Sequence, residues 1–363
     1  MPDTINPYIP GQPVDNADSF FGRRDVLSSI REHLVKGRRV FVVAGASRMG
    51  KSSLLRQVAH HLPEDYIPVR VDLLEENAQK LDWLLWRLAE ILAHEVERVL
   101  GGGGLVPDWQ DFEGHTGRFL DDFWPRVRAL LGGRGLVLLA DDLDSLAGIG
   151  DGLLERFVAL LGDWRDRDGN VALVLAVSAR AEADLVREHP RLFGGSMSYL
   201  LSPLASEEAM RLITWPVDGI LTYDYGVARR LIEATSGHPY YLQLLCFEVF
   251  NRCAAAGWVN QRDVDLVVAE IAAREIDDFR RIWHKSTPPE QVVLAAIVSL
   301  RGARGVATVQ DVRTALNKAG ARAERGQVGS VLEHLVARGI LERLGALSYR
   351  FRVALLRDWL TKR

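Results

Sequence analysis

The residues best placed to do chemistry lie in GASRMGKSS, Gly45 to Ser53. This stretch fits G-x-x-x-x-G-K-[ST] at every position, and each fixed residue has a physical task. The glycines let backbone N–H groups close around phosphate oxygens, Lys51 brings an ammonium to the β and γ phosphates, and Ser52 offers a hydroxyl to Mg2+. The expected ligands are ATP and ADP with Mg2+. Their expected contacts are Gly45, Ala46, Ser47, Arg48, Met49, Gly50, Lys51, Ser52 and Ser53.

Two further strand ends carry polar residues. In VLLADDLDSL an apolar run stops at acidic residues, at the edge where ligands of parallel sheets bind. Asp141 is expected to hold Mg2+ through its water shell and Asp142 to orient the attacking water. Asp144 either joins them or caps the next helix. In LAVSAR the run delivers Ser178 and Arg180, an arginine able to neutralise a γ-phosphate or simply to open the following helix in solvent. In SGHPYY, Gly237 suits a helix C-cap and Pro239 the first turn of the next helix. No histidine, including His60 and His61, has metal-ligand spacing.

These residues need a scaffold, and the patterning supplies one. The phosphate-binding motif sits between RRVFVVAG, a short β-branched run, and SSLLRQVAHHL, which is helix-periodic. Further strands are expected at 67–73, 135–142, 171–178 and 196–202, with helical stretches between them. Residues 21–202 therefore read as a P-loop NTPase domain of α/β class, a parallel sheet covered by helices on both faces. Residues 1–20, rich in Pro, Asn, Asp and Gly, read as an irregular N-terminal arm. After Pro203 the strand signal disappears, giving a helical lid domain over 203–286. Residues 287–363 read as three helices, a small hairpin and a last helix, the order of a winged-helix domain.

Composition sets the outer bounds. At 363 residues and 48% hydrophobic, the chain exceeds the size of one growing core. It has no apolar run long enough for a membrane span, and its start lacks a signal-peptide pattern, so a cytoplasmic protein with no membrane partner is expected. Cys246 and Cys253, seven apart in a helical pattern, would lie about 10 Å apart along the axis, which excludes a disulfide. The net charge of −3 hides a basic end, because residues 301–363 hold 13 Lys/Arg against 5 Asp/Glu. That surplus suits either nucleic acid or an acidic face of the same chain.

Taken together, these segments resemble the STAND-type NTPases, the signal-transducing branch of AAA+ related P-loop proteins, and especially their archaeal-ATPase-like bacterial members. The resemblance runs through NPYIPGQPVDNADSFFGRRDVL, GASRMGKSS, LLADDLD, LAVSAR and TSGHPYYLQLLC. It implies that Arg180 senses the γ-phosphate, that Pro239 packs near the adenine, and that Phe21, Gly22 and Arg23 lie beside the nucleotide. Many relatives carry Asp-Glu where this chain has Asp141-Asp142. The implied function is an ATP-driven signalling switch, slow in hydrolysis, with a protein partner or self-association in the ATP state. The alternative is a DNA-binding AAA+ ATPase similar to Orc/Cdc6 initiators, with DNA met by the winged helix. Against it, RGQVGSVLEHLVARG offers base edges little beyond Arg325 and Gln327.

Overall fold

Runs of Val, Leu, Ile and Ala build a five-stranded parallel sheet in the computed structural model of the chain. The structure describes residues 5–74, 76, 79–300, 306–321, 324–345 and 348–362. The chain divides into two compact units, one of Pro13–Ser202 and one of Met1–Gln12 with Pro203–Arg363.

In the first unit the strands are β1 (Val40–Gly45), β2 (Tyr66–Asp72), β3 (Gly135–Asp141), β4 (Val171–Ser178) and β5 (Met197–Leu201), in the order β2-β3-β4-β1-β5. Strands β1 and β3 are buried at every residue and β4 at all but Ser178, because helices cover both faces. Edge strand β2 instead alternates. Its Ile67, Val69 and Val71 join Leu136, Leu138 and Ala140 in one core layer. Helices α3 (Leu81–Leu100), α5 (Trp124–Leu131) and α6 (Leu153–Arg167) cover that layer, with the short α4 (Trp109–Phe112) between α3 and α5. Val137 and Leu139 enter the opposite layer with Phe41 and Val43, under α1 (Arg24–Val35) and α2 (Lys51–His61). Helices α7 (Ala179–Glu188) and α8 (Pro190–Phe193) lead from β4 to β5.

Two sequence expectations need correction here. Strand β3 stops at Asp141, and Asp142 turns out of it with φ 51°, a left-handed conformation that ends the ladder. The arm is not wholly irregular, since Ala17–Ser19 form a 3₁₀ turn in which the Asn16 side chain accepts from the Asp18 amide. Just before that turn the arm is fastened to α2. The Val14 amide donates to Ser53 Oγ at 3.0 Å, and Gln57 Nε2 donates to the Asp15 carbonyl at 2.7 Å.

The described residues of the second unit form α9 (Ser206–Thr214), α10 (Val227–Thr235), α11 (Pro239–Cys253), α12 (Gln261–Ala273) and α13 (Asp277–His284), followed by α14 (Pro288–Ser299), α15 (Val309–Lys318), α16 (Arg325–Ala337) and α17 (Ala354–Leu360). Strand pairing does not vanish after Pro203. Two-residue strands β6 (Thr222–Tyr223) and β7 (Trp258–Val259) pair in parallel. The expected hairpin of β9 (Leu341–Leu344) and β10 (Ser348–Phe351) gains β8 (Val306–Thr308), in the order β8-β10-β9. Strands of two or three residues are too short to show a period.

Tyr8 is 3% exposed in this unit, and its hydroxyl donates to the Ile213 carbonyl at 2.5 Å. Asn6 Nδ2 donates to the Phe247 carbonyl at 2.9 Å. Both cysteines are free. Among the described residues no helix is long and apolar enough to cross a membrane. Arg301, Arg304, Arg322 and Arg363 of the basic surplus lie outside the described residues.

Candidate nucleotide site

The motif loop joins β1 to α2 at the C-terminal edge of the sheet. Gly50 caps α2 with φ 93°, which a side chain would strain. Gly45 pairs with both Ser178 and Leu201, and a Cβ on it would meet the Leu201 Cβ at 3.2 Å. Glycine here lets the chain leave the sheet between two neighbours. Arg48 also takes a left-handed conformation, φ 59°, so the loop curls before the helix starts. The N-terminus of α2, with its unpaired first amides and positive dipole end, then faces the same edge.

Lys51 is 9% exposed, and its Nζ lies 3.4 Å from the carbonyls of Gly45 and Ala46. Such long contacts to neutral oxygens leave an ammonium that phosphate would draw away strongly. The Ser52 hydroxyl stands beside the Asp141 carboxylate and favours its charged form. Thus the P-loop hydroxyl and the acidic end of β3 share one sheet edge.

Asp141 is 8% exposed. Burial pushes its carboxyl above the ordinary carboxylate range and Asp72 pushes the same way, against the lowering effects of Ser52 and Lys51. Asp142 is pushed up to about 6, by burial first and the Asp141 charge second. Its backbone amide donates to Asp141 Oδ1 at 3.0 Å, which holds the Asp141 carboxylate in place. Asp144 does not cap the helix that follows. Its Oδ1 accepts from the Ser178 amide at 3.0 Å and so ties the end of β3 to the end of β4.

Ser178 caps α7, accepting from the Ala181 amide at 3.2 Å, and Arg180 stands exposed in the first turn of that helix. Phe21, Gly22 and Arg23 precede α1, and the Arg23 guanidinium donates to the Ser202 carbonyl just beyond β5. Because β5 pairs with β1, this contact brings the segment to the sheet edge that carries the loop. Pro239 opens α11 in the other unit.

One acidic residue escaped the sequence reading. Asp72 ends β2 and pairs directly with Asp141 of β3. Only the register of two distant segments reveals it, although VRVDLL does show a carboxylate closing an apolar strand. Oxygen-rich and anionic, the group formed by Ser52, Asp141, Asp142 and Asp72 has the hard donors that Mg2+ prefers. Among the described residues no three His, Cys, Asp or Glu side chains form a metal cage on their own.

A parallel sheet in this order, with a phosphate loop after β1 and carboxylates after β3, defines a P-loop NTPase. The family described as Novel STAND NTPase 1 matches residues 13–359, and the chain belongs to it. Among solved structures it is similar to the Walker-type ATPase Paby2304 of Pyrococcus abyssi, with a TM-score of 0.69 and 14% identity over 96% of this chain and 98% of that one. It is also similar to the Orc1 protein of Aeropyrum pernix in complex with DNA, with a TM-score of 0.51 and 14% identity over 95% of this chain and 93% of that one. At such identity these likenesses establish the fold. No curated protein matches the chain in sequence.

Proposed function

We propose that the chain is an ATP-binding, slowly hydrolysing molecular switch of STAND type, acting in signalling or regulation in the cytoplasm. The observation that carries this reading is the meeting of Lys51, Ser52, Asp141 and Asp142 at one sheet edge. Lys51 draws in the β and γ phosphates. Ser52 and Asp141 hold Mg2+, whose charge offsets that of the phosphates. Asp142, turned out of the strand but tied to Asp141, orients the attacking water. Asp144 is committed to the Ser178 amide, which leaves Asp142 as the better oriented of the two. An aspartate reaches less far than a glutamate, and slow turnover follows.

A switch needs differential affinity, since a ligand that binds two states equally shifts neither. Arg180 supplies it by meeting only the γ-phosphate. In this reading Phe21, Gly22 and Arg23 flank the nucleotide, Pro239 packs near the adenine, residues 203–286 serve as the lid, and residues 287–363 are a winged helix. The lid and winged helix report the nucleotide state to a protein partner or to a second copy of the chain.

The competing reading takes DNA as the partner, as in the Orc1 complex. Four of the 13 basic side chains in residues 301–363 argue against it. Arg338, Arg343, Arg350 and Arg357 are engaged by Glu290, Glu333, Glu342 and Asp358. Each of these guanidiniums would have to leave its own carboxylate before meeting a DNA phosphate.

Titration with a fluorescent ATP analogue tests the reading at its root. Lys51→Ala should weaken binding by about 100-fold, the worth of a charge-assisted hydrogen bond to phosphate in a dry site. Equal binding by folded wild type and variant would remove the P-loop assignment.

A further inference from the structure

The sequence motifs assign Mg2+ to Ser52 and Asp141, and neither motif reaches β2. Yet Asp72, the last residue of β2, pairs with Asp141 in a ladder that continues past both, since the Leu73 amide donates to the Asp141 carbonyl at 3.1 Å. Adjacent strands lie about 4.8 Å apart, and paired residues of parallel strands share a face. Alternation fixes which face it is. Ile67, Val69 and Val71 point into the layer under α3, so Asp72 stands on the opposite side, with Val137, Leu139 and Asp141 of β3 and beneath the helix that carries Ser52.

The carboxylate is held in place. Its Oδ1 accepts from the Leu74 amide at 3.1 Å, which fixes the side chain at the strand end. Its negative charge reaches both Asp141 and Asp142. Three carboxylates at adjoining strand ends, with one lysine among them, repel one another, and a divalent cation relieves that repulsion. Asp72 lies one strand farther from β1 than Asp141 does, on the side away from the loop and from β4. A carboxylate there is displaced from the phosphates and set toward the far side of whatever Asp141 holds.

We infer that Asp72 is a third acidic residue of the nucleotide site, a positioning residue that accepts hydrogen bonds from the water shell of Mg2+ opposite the phosphates. The inference rests on the P-loop reading. Mg2+ gives up its waters reluctantly and is usually held by one or two carboxylates, with the rest of its shell hydrated. Those waters need acceptors, and Asp72 adds one on the side that Ser52 does not cover. The residue therefore strengthens Mg2+ binding while repelling nucleotide that arrives without its metal. It does not touch the reacting phosphorus.

The test is a titration of the full chain with a fluorescent ATP analogue, in EDTA and across graded Mg2+, for the wild type, Asp72→Asn, Asp72→Glu and Lys51→Ala. Asparagine keeps the oxygen that accepts from the Leu74 amide, while it removes the charge and turns the second oxygen into an N–H donor. Asp72→Asn should raise the Mg2+ concentration for half-maximal enhancement of binding about fivefold to tenfold, and should bind the metal-free analogue as tightly as the wild type or up to threefold more tightly. Asp72→Glu, which keeps the charge, should stay within threefold of the wild type in Mg2+ dependence. An unchanged Mg2+ requirement in a folded Asp72→Asn protein would overturn the inference. An equal loss of binding with and without Mg2+ would also overturn it, because it would mark a structural residue. Lys51→Ala separates this failure from that of the P-loop reading, since wild-type binding by that variant would remove the site itself.

Discussion

The end of β3 and the contact between α14 and α16 both bury carboxylates, but they neutralise them in opposite ways. At the strand end Asp141 is surrounded by Asp72, Asp142 and the buried Lys51, and burial first, with like charge adding to it, leaves two of the carboxyls raised. At the helix contact Glu290, 1% exposed, meets Arg338 Nη1 at 2.6 Å and His334 Nδ1 at 3.1 Å, and the Thr287 amide donates to it at 2.7 Å. Burial alone would raise the Glu290 carboxyl, but Arg338 and Thr287 hold it below the ordinary range. A buried charge with its own countercharge is complete and does structural work. Carboxylates that share one lysine keep a surplus of negative charge, which in the proposed reading Mg2+ offsets.

The largest expected effect falls on the complete site. Glu290→Ala strands the Arg338 guanidinium and removes the capping box that starts α14, so it should destabilise the fold by about 3 kcal/mol. Urea denaturation at neutral pH measures this. A loss under 1 kcal/mol would mean that the pair is solvated and that the contrast with β3 is weak.

At the incomplete site, effects should appear in function. Asp142→Asn should keep ATP binding and slow phosphate release by about 100-fold, while Asp144→Asn, whose amide oxygen can still accept from Ser178, should cost much less. A greater loss in Asp144→Asn would shift the catalytic role along the strand end. Arg180→Ala should weaken ATP by about tenfold and leave ADP nearly unchanged, because ADP has no γ-phosphate to meet. Comparable losses for both nucleotides would make Arg180 a structural residue.

The smallest effect is one of pH. Because the folded-state carboxyl of Asp142 is raised to about 6, ionising it opposes folding, and that penalty is full above pH 6 and fades as pH falls toward the ordinary carboxylate range. The nucleotide-free Asp142→Asn protein should therefore melt about 2–4 °C above the wild type at pH 7.5, with the gap about halved at pH 5 and closed only near pH 4. A gap that is constant with pH would show that the carboxyl is not raised.

The parts of this arrangement legible in sequence are those written in continuous stretches. Strands β1, β3 and β4 are buried on both faces and so read as unbroken apolar runs, and the phosphate loop is a single motif. Asp72 was not legible, because its role depends on which residue faces it across a ladder, and pairing register between distant strands leaves no local trace. Tyr8 was hidden differently. It is one aromatic in a Pro-rich stretch, with no period to show that it is buried, its hydroxyl bonded to Ile213 of α9 in its own unit. The engagement of Arg338 and Arg350 was likewise invisible to a charge count, which sees a surplus of 13 over 5 but not which charges are already met.

Under the proposed switch, nucleotide bound at the phosphate loop changes the state of the C-terminal helices. Hydrogen exchange of the full-length chain tests it most directly, with a non-hydrolysable ATP analogue, with ADP, and with each of these plus duplex DNA. Residues 290–360 should exchange faster with the ATP analogue than with ADP, and DNA should alter neither pattern. Exchange that ignores the nucleotide, together with strong protection by DNA, would contradict the switch and favour the initiator-like alternative.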